Sequence, residues 1–331
     1  MNKYSIAYFG TPGFSAMFLE KLLADKEIPV KVEFVVTRHD KAVGRKQIIT
    51  PSPVKQIALK NNISVIDDLK KLQVISYKLQ ELDFAFLFAY GGFIPDNLLH
   101  QPRYGFLNTH PSLLPKYRGA SPMAYPLILG DTETGVTFIQ LDEKLDQGPI
   151  ISQEKVGIAP TDLRSDLENK LTELSFQLFK KQVEQIADSQ KATLKFINQD
   201  NKAATYTQKF TKEDGFISFS IIEKALNNSS LNFAELPKPI LRYIEKYHLT
   251  EEWKAKLTDS GKIIYDYFRG LYPWPGIWTR VTPARCAAVQ QKRLKITNCS
   301  LTNNKLIIKK VQLEGKKEVD FITFNKAYKI L

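Results

Sequence analysis

The stretch from Asn108 to Gly119, NTHPSLLPKYRG, contains the residue types that acid–base chemistry needs. Asn108 and His110 follow a short apolar run and are two residues apart, so a strand would place both side chains on one face. Pro111 cannot donate a ladder hydrogen bond, and it therefore predicts that the strand ends at His110. Ligands bind at the carboxyl ends of strands in α/β sheets, so we expect the site here.

A second stretch, TGVTFIQLDEKLDQGPII from Thr134 to Ile151, supplies an acidic loop after another predicted strand. One Asn-x-His is a weak signal on its own, because a lone histidine is more often a hydrogen-bonded structural group. A carboxylate from this loop would hold the imidazole charged and fix its tautomer. An amide, an imidazole and a carboxylate together can stabilise an oxyanion and move a proton without any nucleophilic side chain.

The length of 331 residues suits two domains rather than one core. Residues 189–204 are polar and lose periodicity, which predicts a linker between a first domain of residues 1–188 and a second domain of residues 205–331. A strand–loop–helix pattern opens the first domain. Several short strands follow Tyr206, and their spacing is typical of a small barrel.

The positive charge is concentrated in the second half of the chain. The net charge is +12; residues 206–331 hold 22 Lys and Arg against 12 Asp and Glu, whereas residues 1–205 hold 25 against 23. Such asymmetry indicates that an anionic polymer docks on the second half, and a solvated lysine-rich surface is the open alternative. No apolar run approaches the roughly 18 residues of a membrane span, and the N-terminus lacks a signal-peptide pattern. We therefore expect a cytoplasmic protein that does not bind membranes.

The motifs occur in an order that resembles the methionyl-tRNA formyltransferase family. The Asn-x-His…Asp core alone is shared with other formyltransferases that use 10-formyltetrahydrofolate. The wider resemblance covers nearly the whole chain and rests on FGTPGF (9–14), TPSPVK (50–55), AYGGFIP (89–95), NTHPSLLPKYRGASP (108–122), TGVTFIQLDEKLDQGPI (134–150), TYTQKFTKEDGFISF (205–219) and RGLYPWPGIWT (269–279).

The resemblance implies an α/β fold with two parts. The first is a Rossmann-like formyltransferase domain with a mostly parallel sheet, and the second is a smaller OB-like β-barrel that binds tRNA. The implied activity is formyl transfer from 10-formyltetrahydrofolate to the α-amino group of methionyl-initiator tRNA. Residues 222–262 form a predicted helical insertion that the family pattern lacks. Its role stays open between tRNA contact, packing and self-association.

The resemblance also implies functional residues. Asn108 and His110 would stabilise the oxyanion, and Asp146 would hold His110 charged. The expected tRNA contacts lie in a basic loop after the second strand: Arg38, Lys41, Arg45 and Lys46. The expected co-substrate contacts are Phe88, Ala89, Tyr90, Gly91, Ile94, Ser112, Leu113, Leu114, Pro115 and Asp142. No metal is implied, because His39, His100 and His248 form no ligand spacing with Cys or carboxylates. We expect a monomer.

The same residues leave other acceptors and another class of protein open. A nucleotide-sugar amine N-formyltransferase would use the same Asn-His-Asp chemistry but would need no tRNA-sized basic surface. A glycinamide ribonucleotide formyltransferase would leave the C-terminal hundred residues unexplained. An RNA-binding module with a degenerate enzyme domain is disfavoured, because Asn108, His110 and Asp146 are all present.

Overall fold

The computed structural model describes residues 3–44, 46–74, 76–188, 195–282 and 291–330. Contacts divide the chain into two compact units. The first contains the chain up to Pro122, Glu133–Gly157 and Glu168–Thr207; the second contains Met123–Thr132, Ile158–Leu167 and the chain from Gln208 onward. This division differs from the predicted one, because residues 195–207 belong to the first unit and do not form a linker. Residues 189–194 of the predicted linker lie outside the described residues.

The first unit alternates strands and helices. Its strands are β1 (Tyr4–Gly10), β2 (Val30–Val36), β3 (Lys41–Val43), β4 (Ile48–Thr50), β5 (Ser64–Ile66), β6 (Phe84–Phe88), β7 (Phe106–His110), β8 (Arg118–Gly119), β9 (Glu133–Gln140), β10 (Ile150–Gly157) and β11 (Tyr206–Thr207). The first seven helices of the chain are α1 (Gly13–Ala24), α2 (Pro53–Lys60), α3 (Leu69–Val74), α4 (Tyr77–Gln80), α5 (Asp96–Leu99), α6 (Ala124–Leu129) and α7 (Arg164–Asp188). Of these, α6 belongs to the second unit.

The central sheet has seven strands in the order β10-β9-β7-β6-β1-β2-β5. Strands β7, β6, β1, β2 and β5 are parallel, and β9 and β10 are antiparallel to their neighbours. The predicted mostly parallel sheet is therefore confirmed. The strand order reverses between β1 and β6, so the carboxyl ends of these strands form the switch point where ligands bind in such sheets.

Aromatic side chains pack one face of the sheet against α1 and α7. Phe86 of β6 is fully buried, and its ring centroid lies 5.1 Å from that of Phe18 in α1 and 4.4 Å from that of Phe179 in α7. The unbroken apolar run of β6 matches a strand that is covered on both faces. This packing fixes the plane from which β7 projects its polar end.

The second unit combines an antiparallel sheet with helices. Its strands β12 (Ile277–Val281), β13 (Lys292–Thr302), β14 (Lys305–Leu313) and β15 (Glu318–Asp320) pair in that order, all antiparallel. Its further helices are α8 (Phe219–Asn227), α9 (Lys238–Lys246), α10 (Thr250–Lys254), α11 (Ser260–Leu271) and α12 (Phe321–Tyr328). The antiparallel C-terminal domain is confirmed; among the described residues its strands form an open four-stranded sheet, and β12 and β15 do not pair with each other.

The predicted insertion at residues 222–262 is helical. Helix α9 turns Ile240, Tyr243 and Ile244 inward, and the Tyr243 ring lies 5.4 Å from that of Tyr125 in α6. Such i, i+3, i+4 spacing is that of a helix packed on a core, so packing accounts for this face of the insertion. The apolar run at Gly215–Phe219 predicts one of the short strands after Tyr206, but this prediction is wrong: Phe216 makes only an isolated bridge to Trp278, Glu213–Gly215 is a 3₁₀ turn, and α8 begins at Phe219.

No helix within the described ranges is both long enough and apolar enough to cross a bilayer.

Candidate active site

Strand β7 presents the central polar pair. All five residues of Phe106–His110 are buried, and the strand ends at His110, as Pro111 predicts. Asn108 and His110 are two residues apart and share one face of the sheet. Antiparallel β9 lies beside them and places Thr137 opposite His110. A polar end on an otherwise apolar central strand gives the site its rigid base.

His110 has an acceptor beside each ring nitrogen. Its Nε2 is 3.0 Å from the carbonyl oxygen of Tyr117, and its Nδ1 is 3.6 Å from Oδ1 of Asp146. Only the doubly protonated ring donates a proton toward both acceptors. The first distance is that of a hydrogen bond, and the second is that of an ion pair. A ligand oxygen that approaches Nδ1 would therefore displace only the looser contact.

Asn108 has spare hydrogen-bonding capacity. The residue is 4% exposed, and its Oδ1 is buried with no hydrogen-bond partner among the residues that the structure describes. A buried polar atom without a partner costs about 1–3 kcal/mol. Such an atom at the carboxyl end of a central strand points to a ligand that completes its bonding.

The Asp146 loop has a constrained backbone. Asp146 adopts φ of 53°, in the left-handed region that non-glycine residues avoid. Its Oδ2 accepts a hydrogen bond of 2.7 Å from the Gly119 N–H, which leaves Oδ1 for His110. Gly148 is required here, because a Cβ at that position would lie 1.8 Å from the Gln140 carbonyl oxygen. Strain of this kind persists where surrounding bonds hold it, often at functional sites.

The predicted co-substrate residues from Ser112 to Pro115 are already engaged within the protein. The Thr137 hydroxyl donates to the Ser112 carbonyl at 2.6 Å and accepts from the Leu114 N–H at 3.0 Å. The Leu114 carbonyl accepts from Gln153, and the Pro115 carbonyl accepts from the Thr205 N–H. The Leu113 carbonyl accepts from the Lys116 N–H. These bonds fix the shape of the loop.

The other predicted co-substrate residues lie at the switch point. Phe88, Tyr90 and Ile94 are buried, so their side chains pack inside the protein at this end of the sheet. Ala89 and Gly91 have positive φ values of 55° and 69°, and they turn the chain sharply after β6. The Tyr90 carbonyl accepts from Thr11 at 2.7 Å. Asp142, predicted to bind the co-substrate, accepts from the Lys144 N–H and so closes its own turn.

The predicted basic loop is a β-hairpin of β3 and β4. Lys41 and Lys46 are exposed on it, and Arg45 lies outside the described residues. Arg38 instead donates from Nη1 to the Gly91 carbonyl at 2.7 Å. Lys55 bonds Asp40 and Asp67 at 2.8 and 2.9 Å, and these hydrogen bonds raise the pKa of Lys55. The hairpin base is therefore anchored while its basic tip faces solvent.

Sequence reasoning missed several residues that shape the site. Thr137 could have been noticed as a polar residue within an apolar strand. Gln199 was assigned to a linker, yet its Nε2 donates to the Asp146 and Gly148 carbonyls at 2.8 and 2.7 Å. Arg118, expected either in an exposed turn or near a substrate phosphate, is fully buried. No group of three or more His, Cys, Asp or Glu side chains in the described segments is arranged to hold a metal ion.

Known proteins place this arrangement in a class. The family described as "Formyl transferase" matches residues 3–183, so the fold and site define a formyltransferase. The methionyl-tRNA formyltransferase of Caldicellulosiruptor saccharolyticus is 31% identical, with 98% of this chain and 97% of that protein covered. The chain belongs to the methionyl-tRNA formyltransferase family.

Solved structures share the fold. A methionyl-tRNA formyltransferase from Clostridium thermocellum has a TM-score of 0.56 at 16% identity and covers 94% of this chain and 98% of that one. An N-formyltransferase from Helicobacter canadensis, in complex with folinic acid and dTDP-3-aminofucose, has a TM-score of 0.54 at 19% identity and covers 97% and 99%. Both likenesses extend over nearly the whole chain.

Proposed function

We propose that this enzyme transfers the formyl group of 10-formyltetrahydrofolate to the α-amino group of methionyl-initiator tRNA, for use in translation initiation. The observation that carries the proposal is the buried Asn108 amide, whose Oδ1 lacks a partner among the described residues, beside the His110–Asp146 pair. The likeness to a methionyl-tRNA formyltransferase over almost the full chain supports the acceptor. The cytoplasm is the compartment that this role implies.

Asn108, His110 and Asp146 suit the transfer of an acyl group to an amine. The co-substrate supplies a formyl group on a nitrogen that can leave as an amine. The α-amine of methionine is its own nucleophile once neutral, so no Ser or Cys is required. As the amine nitrogen bonds to the formyl carbon and the bond to N10 breaks, negative charge develops on the formyl oxygen. We assign that charge to the Asn108 Nδ2–H and the His110 ring as donors, while Asn108 Oδ1, which has no partner among the described residues, can accept from the incoming amine.

Asp146 completes the set. It orients the His110 ring through the contact of 3.6 Å between Oδ1 and Nδ1. The amine loses one proton, and the departing N10 gains one; the His110–Asp146 pair is the group placed to move it. All three residues come from one chain, so a monomer is sufficient. The pocket for the co-substrate would be formed by the loops at 88–94 and 112–115 with Asp142.

A basic aromatic face on the antiparallel sheet supports tRNA docking. This face is defined by Phe216, Trp278, Arg280, Arg293 and Lys295. Cross-strand pairs join Trp278 to Lys295 and Arg280 to Arg293, and the Arg293 guanidinium lies 5.9 Å from the Trp278 ring. Burial lowers the pKa of Lys295. Trp278 is buried, whereas Phe216 and Arg280 are exposed. Exposed cations beside an aromatic ring suit the phosphates of a nucleic acid, so we assign this face to tRNA.

Formylation of initiator methionyl-tRNA with 10-formyltetrahydrofolate should fall steeply with salt. Phosphate contacts release counterions, so we expect kcat/KM to drop about tenfold or more between roughly 50 and 200 mM salt. An amino-sugar nucleotide serves as the rival acceptor in the same assay. Activity on the sugar alone would contradict the tRNA assignment, and activity on neither acceptor would contradict formyl transfer to them.

Removing two charges from the hairpin should weaken tRNA binding selectively. We expect Lys41→Ala with Lys46→Ala to raise KM for tRNA about tenfold, and to reduce the slope of log kcat/KM against log salt by about two, since each lysine on a phosphate contributes about one. KM for 10-formyltetrahydrofolate should stay the same. Lys70→Ala with Lys78→Ala removes the same charge elsewhere on the first unit and should change neither value. If the two double substitutions had equal effects on KM for tRNA, the net charge of the protein, and not the position of the hairpin lysines, would determine tRNA binding.

A further inference from the structure

Arg118 is a buried cation whose side-chain bonds within the described residues are all to neutral groups. It is fully buried, and it is the largest fully buried side chain among the described residues. Its Nε and Nη2 donate to Gln199 Oε1 at 3.1 and 2.7 Å, Nη2 also donates to Asn201 Oδ1 at 2.9 Å, and Nη1 donates to the Tyr206 hydroxyl at 3.0 Å. Burying an arginine costs free energy unless its N–H groups are hydrogen-bonded. The bonds that satisfy Arg118 also attach residues 199–206 to β8.

These bonds fix the orientation of the Gln199 amide. Arginine can only donate, so the atom that faces Arg118 must be the amide oxygen. The amide nitrogen then faces the opposite way and donates to the Asp146 carbonyl at 2.8 Å and the Gly148 carbonyl at 2.7 Å. One side chain therefore holds both ends of the short turn that carries the catalytic carboxylate.

The same turn is held from its other side by the residue that follows Arg118. The Gly119 N–H bonds Asp146 Oδ2 at 2.7 Å. Asp146 needs such restraint, because its φ of 53° is unfavourable for a non-glycine residue. Arg118, Gln199, Asp146 and Gly119 thus form a closed ring of contacts, and it sets the position of Oδ1 relative to His110.

We propose that Gln199, oriented by Arg118, is a positioning residue for Asp146, so that the segment 199–206 is part of the catalytic apparatus. The proposal rests on the proposed formyl transfer. Gln199 acts through the Asp146 carbonyl and touches no reacting atom. Its loss should therefore reduce kcat and leave the binding of both substrates unchanged.

Gln199→Glu removes the donation to the turn and adds one negative charge, which Arg118 faces. A glutamate keeps one oxygen that accepts from Arg118, so residues 199–206 stay attached. Its second oxygen cannot donate, and it would face the carbonyl oxygens of Asp146 and Gly148. We expect kcat to fall about 10- to 100-fold, the loss typical of a displacement of about 1 Å, with each KM changed less than twofold. Gln56→Glu is the matched control, since Gln56 also donates to a backbone carbonyl but lies on α2; it should leave kcat unchanged. A kcat within twofold of the unsubstituted enzyme for Gln199→Glu would overturn the proposal.

The Asp146→Asn background separates positioning from a general structural defect. Asparagine tolerates the left-handed backbone and keeps an oxygen for the Gly119 N–H. If Gln199 acts only through the carboxylate, adding Gln199→Glu to Asp146→Asn should lower kcat less than twofold further. A full second loss would contradict the proposal.

A spectroscopic measurement keeps this inference distinct from the proposed function. Ring ¹⁵N NMR signals of His110, assigned by their loss in His110→Gln, should shift in Gln199→Glu in the same direction as in Asp146→Asn, and not in Gln56→Glu. Unchanged signals in Gln199→Glu would overturn the positioning role even in an active enzyme. Shifted signals in a protein that formylates no methionyl-tRNA would retain that role and reject the proposed acceptor.

Discussion

Asn108→Ala should lower the single-turnover rate of formyl transfer about 10²- to 10³-fold, the usual loss when one oxyanion donor is removed. The amide is nine-tenths buried or more, and its Oδ1 has no bond among the described residues. Its removal therefore breaks no recorded internal hydrogen bond. We expect the free energy of unfolding to change little, while rapid quenching of a pre-formed enzyme–substrate complex records the slower chemical step.

Thr109→Val provides the control for this substitution. Thr109 is the next residue on β7, it is equally buried, and its hydroxyl also lacks a partner within the part of the chain described. It points to the opposite face of the sheet, because side chains alternate along a strand. We expect the rate to stay within twofold. A comparable loss in Thr109→Val would mean that disturbance of the strand, and not the Asn108 amide, explains the effect.

Arg269→Ala should reduce the free energy of unfolding of the second unit by about 3 kcal/mol, because the buried Asp266 carboxylate then keeps only the half-exposed Lys262 as a charged partner. Arg269 is 3% exposed and bonds Asp266 through two donors, at 2.6 and 3.2 Å. It also donates to the Asp162 and Ala159 carbonyls at 3.0 and 3.3 Å. One guanidinium thus joins α11 to the segment that precedes α7. Urea unfolding followed by tryptophan fluorescence measures the loss.

Two further variants test whether the loss in Arg269→Ala comes from the buried ion pair. Replacing both partners, with Arg269→Met and Asp266→Leu, should cost less than Arg269→Ala alone, since no buried carboxylate that has lost its guanidinium remains. Arg103→Ala removes an exposed arginine that lies 3.8 Å from Asp83, and it should change the free energy of unfolding by less than about 1 kcal/mol. Equal losses for the single and double variants at α11 would show that packing, rather than the Asp266 carboxylate left without Arg269, dominates.

Patterns that depend on local chemistry predicted the fold well. Pro111 predicted the end of β7, and the unbroken apolar run from Phe84 to Ala89 predicted a covered strand, which ends at Phe88. The amphipathic pattern from Thr161 to Asp188, with its Thr-Asp start signal, predicts a helix, and α7 occupies Arg164–Asp188. In these segments the covalent geometry or the hydrophobic period determines the structure, so neighbouring residues are sufficient to predict it.

The parts that sequence reasoning missed depend on partners distant in the chain. A polar segment such as 195–207 has the composition of a solvated linker. Its polarity instead satisfies buried groups more than fifty residues away, as Gln199 does at Asp146. Arg118 has the charge of a surface residue, and only its bonds to residues 81 and 88 positions later explain its burial. Composition indicates which groups need partners, but it does not indicate where those partners lie.

The position of Gln199 has a consequence for how the chain can be divided. A fragment that ends at residue 188 would contain every strand of the seven-stranded sheet and all three catalytic candidates. It would lack the amide that restrains the Asp146 turn. During synthesis, the same turn stays incomplete until Gln199 has left the ribosome. An excised catalytic fragment should therefore extend through Thr207, the last residue of the first unit.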